Sequence, residues 1–229
     1  MIKLTNINKS YKEKRVLNNL NLQINKGEII GLLAPNAEGK STLLKIIGGH
    51  ISMDSGEYTF NGETFNHTHK EFIGYMNDSS IIPSYWRIKH SIEYYRNNFN
   101  TFNEKKCMDI LEKFKLDLDR KIKSLSKGES EKLHLALSIS VEGQLYIMDE
   151  PLAAIDLIGR DDVIKMILEN FSLDSSIIIA SHLVSDIEKM LDRVILLRDG
   201  EIIENVLVED LRSNGKSVVS FYREVYGNA

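Results

Sequence analysis

A single cysteine, Cys107, leaves no disulfide possible within the chain and points to a reducing compartment. No apolar run approaches the roughly 20 residues that a bilayer-spanning helix needs, so any membrane part is expected to be another chain. The N-terminal stretch MIKLTNINKSYKEKR is polar and lacks a signal-peptide core, so the expected location is cytosolic. Positive charge is neither in excess nor clustered. The 29 Lys and Arg against 33 Asp and Glu give a net −4 with no long run of one sign, which excludes the basic footprint of a nucleic-acid binder. Internal repeats, low-complexity segments and heptad runs are also missing. What the chain does have is apolar content: 42% of its 229 residues, enough to bury a sizeable core as one domain or a domain with a lobe.

The most informative stretch is Ala34-Pro35-Asn36-Ala37-Glu38-Gly39-Lys40-Ser41-Thr42. It fits the relaxed form of the phosphate-binding loop: a small residue, four others, then Gly-Lys-Ser. Glu28 to Leu33 (EIIGLL) before it reads as a buried strand, and Leu43 to Ile47 after it as an apolar-faced helix. Such a loop wraps backbone amides around a β-phosphate at a helix N-terminus, where donors are unpaired and the dipole favours an anion. Lys40 is expected to neutralise the β- and γ-phosphates, and Ser41 to offer its hydroxyl to Mg²⁺.

In chain order, residues 2–24 read as two short strands around a polar turn from Asn8 to Arg15. Gly48-Gly49 is expected to close the helix after the loop. Ser55 to Phe65 alternates around Asn61-Gly62, a two-residue hairpin signal. Phe72 to Met76 reads as a strand. From about Asp78 to Val141 the texture is polar and helical, with helices expected at Ser91–Asn98, at Glu104–Phe114 and from Ser126. The last of these has Leu133, Ala136, Leu137 and Ser140 on one face. Gln144 to Met148 and Ser176 to Ala180 are short apolar runs, the mark of strands buried on both faces of a parallel sheet. Asp156 to Asn170 reads as the helix between them. A terminal hairpin over Arg193–Leu197 and Glu201–Ile203 turns at Asp199-Gly200. The order predicts an α/β core with an inserted helical lobe.

Asp149 and Glu150 end the strand that begins at Gln144, where parallel sheets place ligands. Two adjacent carboxylates there suggest divided labour: Asp149 holding Mg²⁺ through water, Glu150 acting as general base on the attacking water. Leu125-Ser126-Lys127-Gly128-Glu129 contains a capping box, Ser-x-x-Glu, at a helix start. The same serine and bare glycine also suit an anion site. His67-Thr68-His69 offers two ligands in a loop, too few for a metal site.

At Leu125–Glu129 the sequence resembles the ATP-binding subunits of ABC transporters, whose signature reads Leu-Ser-Gly-Gly-Gln. The resemblance runs from about residue 2 to 212 with every family motif in order. It implies a P-loop NTPase (RecA-like) core with an antiparallel β subdomain over 1–77 and 142–229, and an inserted helical signature subdomain over 78–141. It also implies that Tyr11 stacks on adenine and that Asp156 ends the D-loop. His182, after Ser181, takes the place of the switch histidine that faces the γ-phosphate. Lys40, Glu150 and His182 then do the chemistry. Nucleotide binding falls to Tyr11, the loop from Ala34 to Thr42, and Ser126, Lys127, Gly128 and Glu129, with Ser126 and Gly128 completing the site of the opposite chain.

The sequence departs from the family pattern at four places. Ala34 and Ala37 replace loop glycines, Ala153-Ala154 replaces Ser-Gly in the D-loop, and Lys127 crowds the signature. Asp78, or Asn77 if the register slips, stands for the Mg²⁺-binding glutamine, and its role as a metal ligand or a solvent-facing residue stays open. The implied function is an ATPase that dimerises around ATP and Mg²⁺ and drives a separately encoded transmembrane permease. The implied place is the inner face of the cell membrane. The Lys-Gly-Glu signature most resembles subunits of Gram-positive peptide or antibiotic exporters, and the short tail after Arg212 also favours export. The alternatives are a non-transport member of the superfamily and an ATP-binding regulatory module. Asp149 lies 109 positions after Lys40 (149 − 40), and the stretch between them lacks the heptads of DNA-repair members; Glu150 and His182 speak against the regulator.

Overall fold

The computed structural model describes residues 1–76 and 82–227. Strand β1 (Ile2–Tyr11) pairs antiparallel with β2 (Lys14–Ile24) all the way from Ile2↔Ile24 to Tyr11↔Lys14. The connection is therefore only Lys12-Glu13, and most of the polar stretch expected as a turn lies inside the ladder. Asparagine side chains make that possible. Asn6 and Asn19 take left-handed angles (φ 52° and 42°) that asparagine tolerates better than most residues. Asn8 Nδ2 donates to Asn6 O at 2.9 Å and to Asn19 Oδ1 at 3.1 Å, and Asn19 N donates to Asn8 Oδ1 at 3.0 Å. These bonds pair backbone and amide groups where the ladder shifts register.

Strand β3 (Ile29–Leu33) is buried at every position and leads through the phosphate-loop sequence into α1 (Lys40–Ile47). Gly49 N donates to Ile46 O at 2.9 Å and His50 N to Lys45 O at 2.8 Å, closing α1 as expected of Gly48-Gly49. Strands β4 (Ser55–Phe60) and β5 (Glu63–Thr64) turn at Asn61-Gly62, and β6 (Ile73–Met76) follows. Then come α2 (Ile88–Asn98), α3 (Glu104–Lys113) and α4 (Lys127–Ile139). The chain returns to the core with β7 (Leu145–Asp149), α5 (Leu157–Glu169), β8 (Ser176–Ala180), α6 (Val184–Ile187), β9 (Arg193–Arg198) and β10 (Glu201–Leu207). It ends in α7 (Val208–Ser213) and α8 (Val218–Tyr226).

Two sheets result. One is antiparallel in the order β2-β1-β4-β5; the other runs β10-β9-β3-β8-β7-β6, parallel throughout except for β10. Alternate residues of the parallel strands feed two separate cores. Ile29, Leu33, Met148, Ile177 and Leu196 face the helices α2–α5, whereas Ile30, Leu32, Ile147, Ile178 and Leu197 face α1 and the antiparallel sheet.

Two sequence expectations are corrected here. The apolar face of α4 is wider than Leu133, Ala136, Leu137 and Ser140, because Leu135, Ser138 and Ile139 are buried as well. Its second half is enclosed on all sides, and Ser138 and Ser140 bury their hydroxyls by donating to Leu135 O and Ala136 O. The β9–β10 hairpin is also not terminal. Helix α8 docks back on the core, where Tyr226 donates to Leu197 O at 2.7 Å.

Candidate functional site

Register alone collects the chemistry at one sheet edge. Leu32 pairs with Ala180, and Ala180 with Asp149, so β3, β8 and β7 end level with one another. The loop after β3, the Asp149-Glu150 pair after β7 and Ser181-His182 after β8 therefore emerge side by side, at the carboxyl ends of parallel strands.

A cavity of about 370 Å³ opens there. Its walls are Tyr11 and Val16 from the β1–β2 pair, Asn36, Ala37 and residues 39–42 from the loop and α1, and Asp149 and Glu150 from the end of β7. Of the sequence-predicted residues, Tyr11, Asn36, Ala37, Gly39, Lys40, Ser41, Thr42, Asp149 and Glu150 are thus brought together.

The loop is shaped by its backbone. Gly39 sits at φ 100° directly before α1, and a Cβ there would meet Val16 O at 2.8 Å, so only glycine fits between the loop and β2. Ala37 is held at φ 69°, the left-handed angle that the family's glycine would take without cost. Ala34 and Pro35 contribute carbonyls rather than cavity wall, accepting from Lys40 Nζ at 2.7 and 2.9 Å. Burial lowers the Lys40 pKa, and the charges of Glu150, Asp149 and Glu38 oppose that shift. Glu38 lines no part of the cavity; its carboxylate accepts from Asp199 N at 2.6 Å and ties the loop to the β9–β10 turn.

Asp149 is buried, 3% exposed, beside the start of α1. Glu150 is turned at φ 54° and accepts from its neighbours after β8: Ser181 Oγ at 3.2 Å, His182 N at 3.1 Å and His182 Nδ1 at 2.8 Å. A carboxylate held by three groups from the adjacent strand end has a fixed direction. The sequence singles out Glu150 and His182; it assigns no part in the site to Ser181, Val16 or Asp199, whose roles arise from pairing across the sheet. Tyr11 is half exposed, with the Lys9 ammonium 5.7 Å from its ring centroid.

Ser126, Lys127, Gly128 and Glu129 line no part of this cavity. They form the start of α4, where Ser126 Oγ accepts from Glu129 N at 3.1 Å and Ser126 N donates to Glu129 Oε2 at 2.8 Å. The capping box expected from the sequence is present. Gly128 presses on the turn after β7: a Cβ there would meet Ala154 O at 2.9 Å. Ala154 N in turn donates to both Glu131 carboxylate oxygens at 3.0 Å. Asp156, expected at the end of the D-loop, caps α5 by accepting from Gly159 N at 2.9 Å.

Asp78 and Asn77 lie outside the described residues. His69 Nδ1 accepts from Asn66 N at 3.0 Å as part of a local cap, and among the described residues no His, Cys, Asp and Glu group could hold a metal by itself. No described helix is long and apolar enough to cross a membrane.

The profile of the family described as ABC transporter matches residues 17–153. The chain is 32% identical to the lantibiotic transport ATP-binding protein SrtF of Streptococcus pyogenes, over 89% of each chain. It is 31% identical to the ABC transporter ATP-binding protein YtrB of Bacillus subtilis, over 93% of this chain and 74% of that one. Its fold superimposes on a solved ATP-binding subunit of an ABC transporter with a TM-score of 0.88 at 21% identity, covering 98% of both chains. A dimeric bacterial ABC transporter cassette gives 0.81 at 21%, over 90% of this chain and 98% of that chain. The chain therefore belongs to the ABC transporter family, as one of its ATP-binding ATPase subunits.

Proposed function

We propose that two copies of this chain enclose ATP between the phosphate loop of one and the α4 start of the other, hydrolyse it, and drive a separate membrane subunit that exports a peptide or drug-like molecule. The single observation that carries the reading is the cavity in which Lys40, Ser41, Asp149 and Glu150 meet. Tyr11 supplies an aromatic face for the base. Backbone amides of the loop and the first turn of α1 receive the phosphates. Lys40, now bonded to two carbonyls, exchanges them for phosphate oxygens. Glu150, aimed by Ser181 and His182, takes a proton from water as that water attacks the γ-phosphorus; the bond to the bridging oxygen breaks and ADP leaves. The buried Asp149 and the Ser41 hydroxyl are hard oxygen donors that would hold Mg²⁺, which would supply charge neutralisation to the phosphates when bound.

The second copy is supported by what one chain leaves open. Ser126 and Lys127 are exposed and away from the cavity, and beyond Asp156 the side chains of Leu157 and Ile158 are 76% and 82% exposed. Export is supported by the relative named for lantibiotic transport. In this reading, α2, α3 and α4 belong to the lobe expected over 78–141 that carries the signature, and the subunit sits at the inner membrane face through its partner. The test is Glu150→Gln, which slows hydrolysis so that ATP persists as the link between copies. Gel filtration is expected to show a dimer with ATP and Mg²⁺ and a monomer without nucleotide. A chain that stays monomeric at every accessible concentration removes the homodimer.

A further inference from the structure

The α4 start carries a formal contradiction. A site meant to receive phosphate has an acid, Glu129, in its first turn, and that carboxylate is ionised and pinned beside the helix N-terminus by Ser126 N at 2.8 Å. A bare carboxylate there would repel ATP. It is not bare. Arg120, in the loop after α3, reaches it with two nitrogens, Nη1 to Oε1 at 2.5 Å and Nη2 to Oε2 at 3.1 Å. Arg120 Nη2 also donates to Ser124 O at 2.9 Å, which fixes the guanidinium against the turn leading into Ser126. The hydrogen bond from Arg120, then that from the Ser126 amide, draws the Glu129 pKa down to about 2. The pair is about one-third exposed, so charge cancellation rather than net stabilisation is its main consequence.

We infer that Arg120 is a positioning residue for ATP hydrolysis, cancelling the charge of Glu129 so that an acidic signature turn can close on the phosphates held by another copy of the chain. This rests on the two-copy reading above. Arg120 lines no part of the cavity that holds Lys40 and Glu150. It acts through Glu129, doing with a second side chain what an uncharged residue at 129 would do alone. Arginine suits the task because its planar fork matches both carboxylate oxygens and stays charged at every working pH.

The experiment uses the full chain in the Glu150→Gln background and reads the ATP concentration that gives half-maximal dimer. Arg120→Met is expected to raise that concentration by about tenfold, the order expected for exposing a like charge near bound phosphate. Adding Glu129→Gln to Arg120→Met is expected to restore it to within about twofold, because the charge that needed cancelling is gone. The rescue separates charge from packing: a merely structural tie is lost in the single and double variants alike, so it leaves the ATP requirement raised in both. An Arg120→Met chain that dimerises at the original ATP concentration overturns the inference, as does a double variant no better than the single one. If the Glu150→Gln parent never dimerises, the two-copy reading itself fails and takes this inference with it.

Discussion

Ala37 offers the sharpest arithmetic. Its φ of 69° lies in the left-handed region, where a Cβ crowds the next carbonyl at a cost of roughly 1–2 kcal/mol. Replacing it with glycine removes that strain but adds unfolded-chain entropy worth roughly 0.4–1 kcal/mol. The net expectation for Ala37→Gly is a stabilisation of about 1 kcal/mol. With about 2.1 cal/mol/K of unfolding entropy per residue, the 229-residue chain has about 480 cal/mol/K, so the midpoint should rise by about 2 °C. Affinity follows a different rule. If the backbone angle is the same with and without nucleotide, the strain cancels and the Kd is unchanged. If the relief falls on the bound state, about 1 kcal/mol tightens binding roughly fivefold. Calorimetric titration with ATP and a thermal scan of the same preparation read both quantities. Weaker ATP binding, or a lower midpoint, would refute the reasoning, since neither can come from relieving a left-handed alanine.

Lys40→Ala is expected to abolish ATP hydrolysis while circular dichroism stays native, since the side chain lines the cavity and its ammonium bonds to the backbone at Ala34 O and Pro35 O; unchanged turnover would remove the central assignment. The Glu129 carboxyl titrates at about 2 when folded against an ordinary 4.5, so the stability it contributes is present above about 4.5 and is lost as pH falls toward 2. Urea denaturation of the native chain and of Glu129→Gln should therefore differ by a constant amount down to about pH 4.5, with the gap closing below it; a gap that grows in acid contradicts the pairing.

Much of this site could be read from the sequence because its parts are local. A phosphate loop is a run of nine residues flanked by a strand and a helix; β3 lies within EIIGLL, and α1 covers the expected Leu43–Ile47 but begins three residues earlier, at Lys40. Glu150 is visible because it directly follows a short apolar strand, whereas His182, two residues beyond the next such strand, is visible through the family resemblance. The misreadings have a common cause as well. Asn8 to Arg15 reads as a turn because polar residues usually make one, but side-chain amides there supply bonds that composition cannot register. Helix α8 gives little signal in the sequence because its buried side lies against distant parts of the chain; only Val218 in it is fully enclosed.

Those distant parts converge on the phosphate loop, and there the fold adds what no local pattern could have announced. The loop is gripped from three directions. Val16 O fills the space beside Gly39, where a Cβ would approach it to 2.8 Å, and the same carbonyl lies 2.4 Å from a Cβ placed on Gly200. Asp199 N, one residue earlier in that turn, holds the Glu38 carboxylate. Below the loop, Tyr226 on α8 donates to Leu197 O, with Leu33 O at 3.4 Å, and its ring carries the Arg198 guanidinium 5.1 Å from the centroid. Residues from the second strand, the last hairpin and the last helix thus fix one nine-residue turn. A loop that must keep Ala37 in a strained angle needs such over-determination, because strain persists only where the surroundings leave the backbone no cheaper conformation. The phosphate site is therefore a property of the whole chain, even though its chemistry can be read from Ala34 to Thr42.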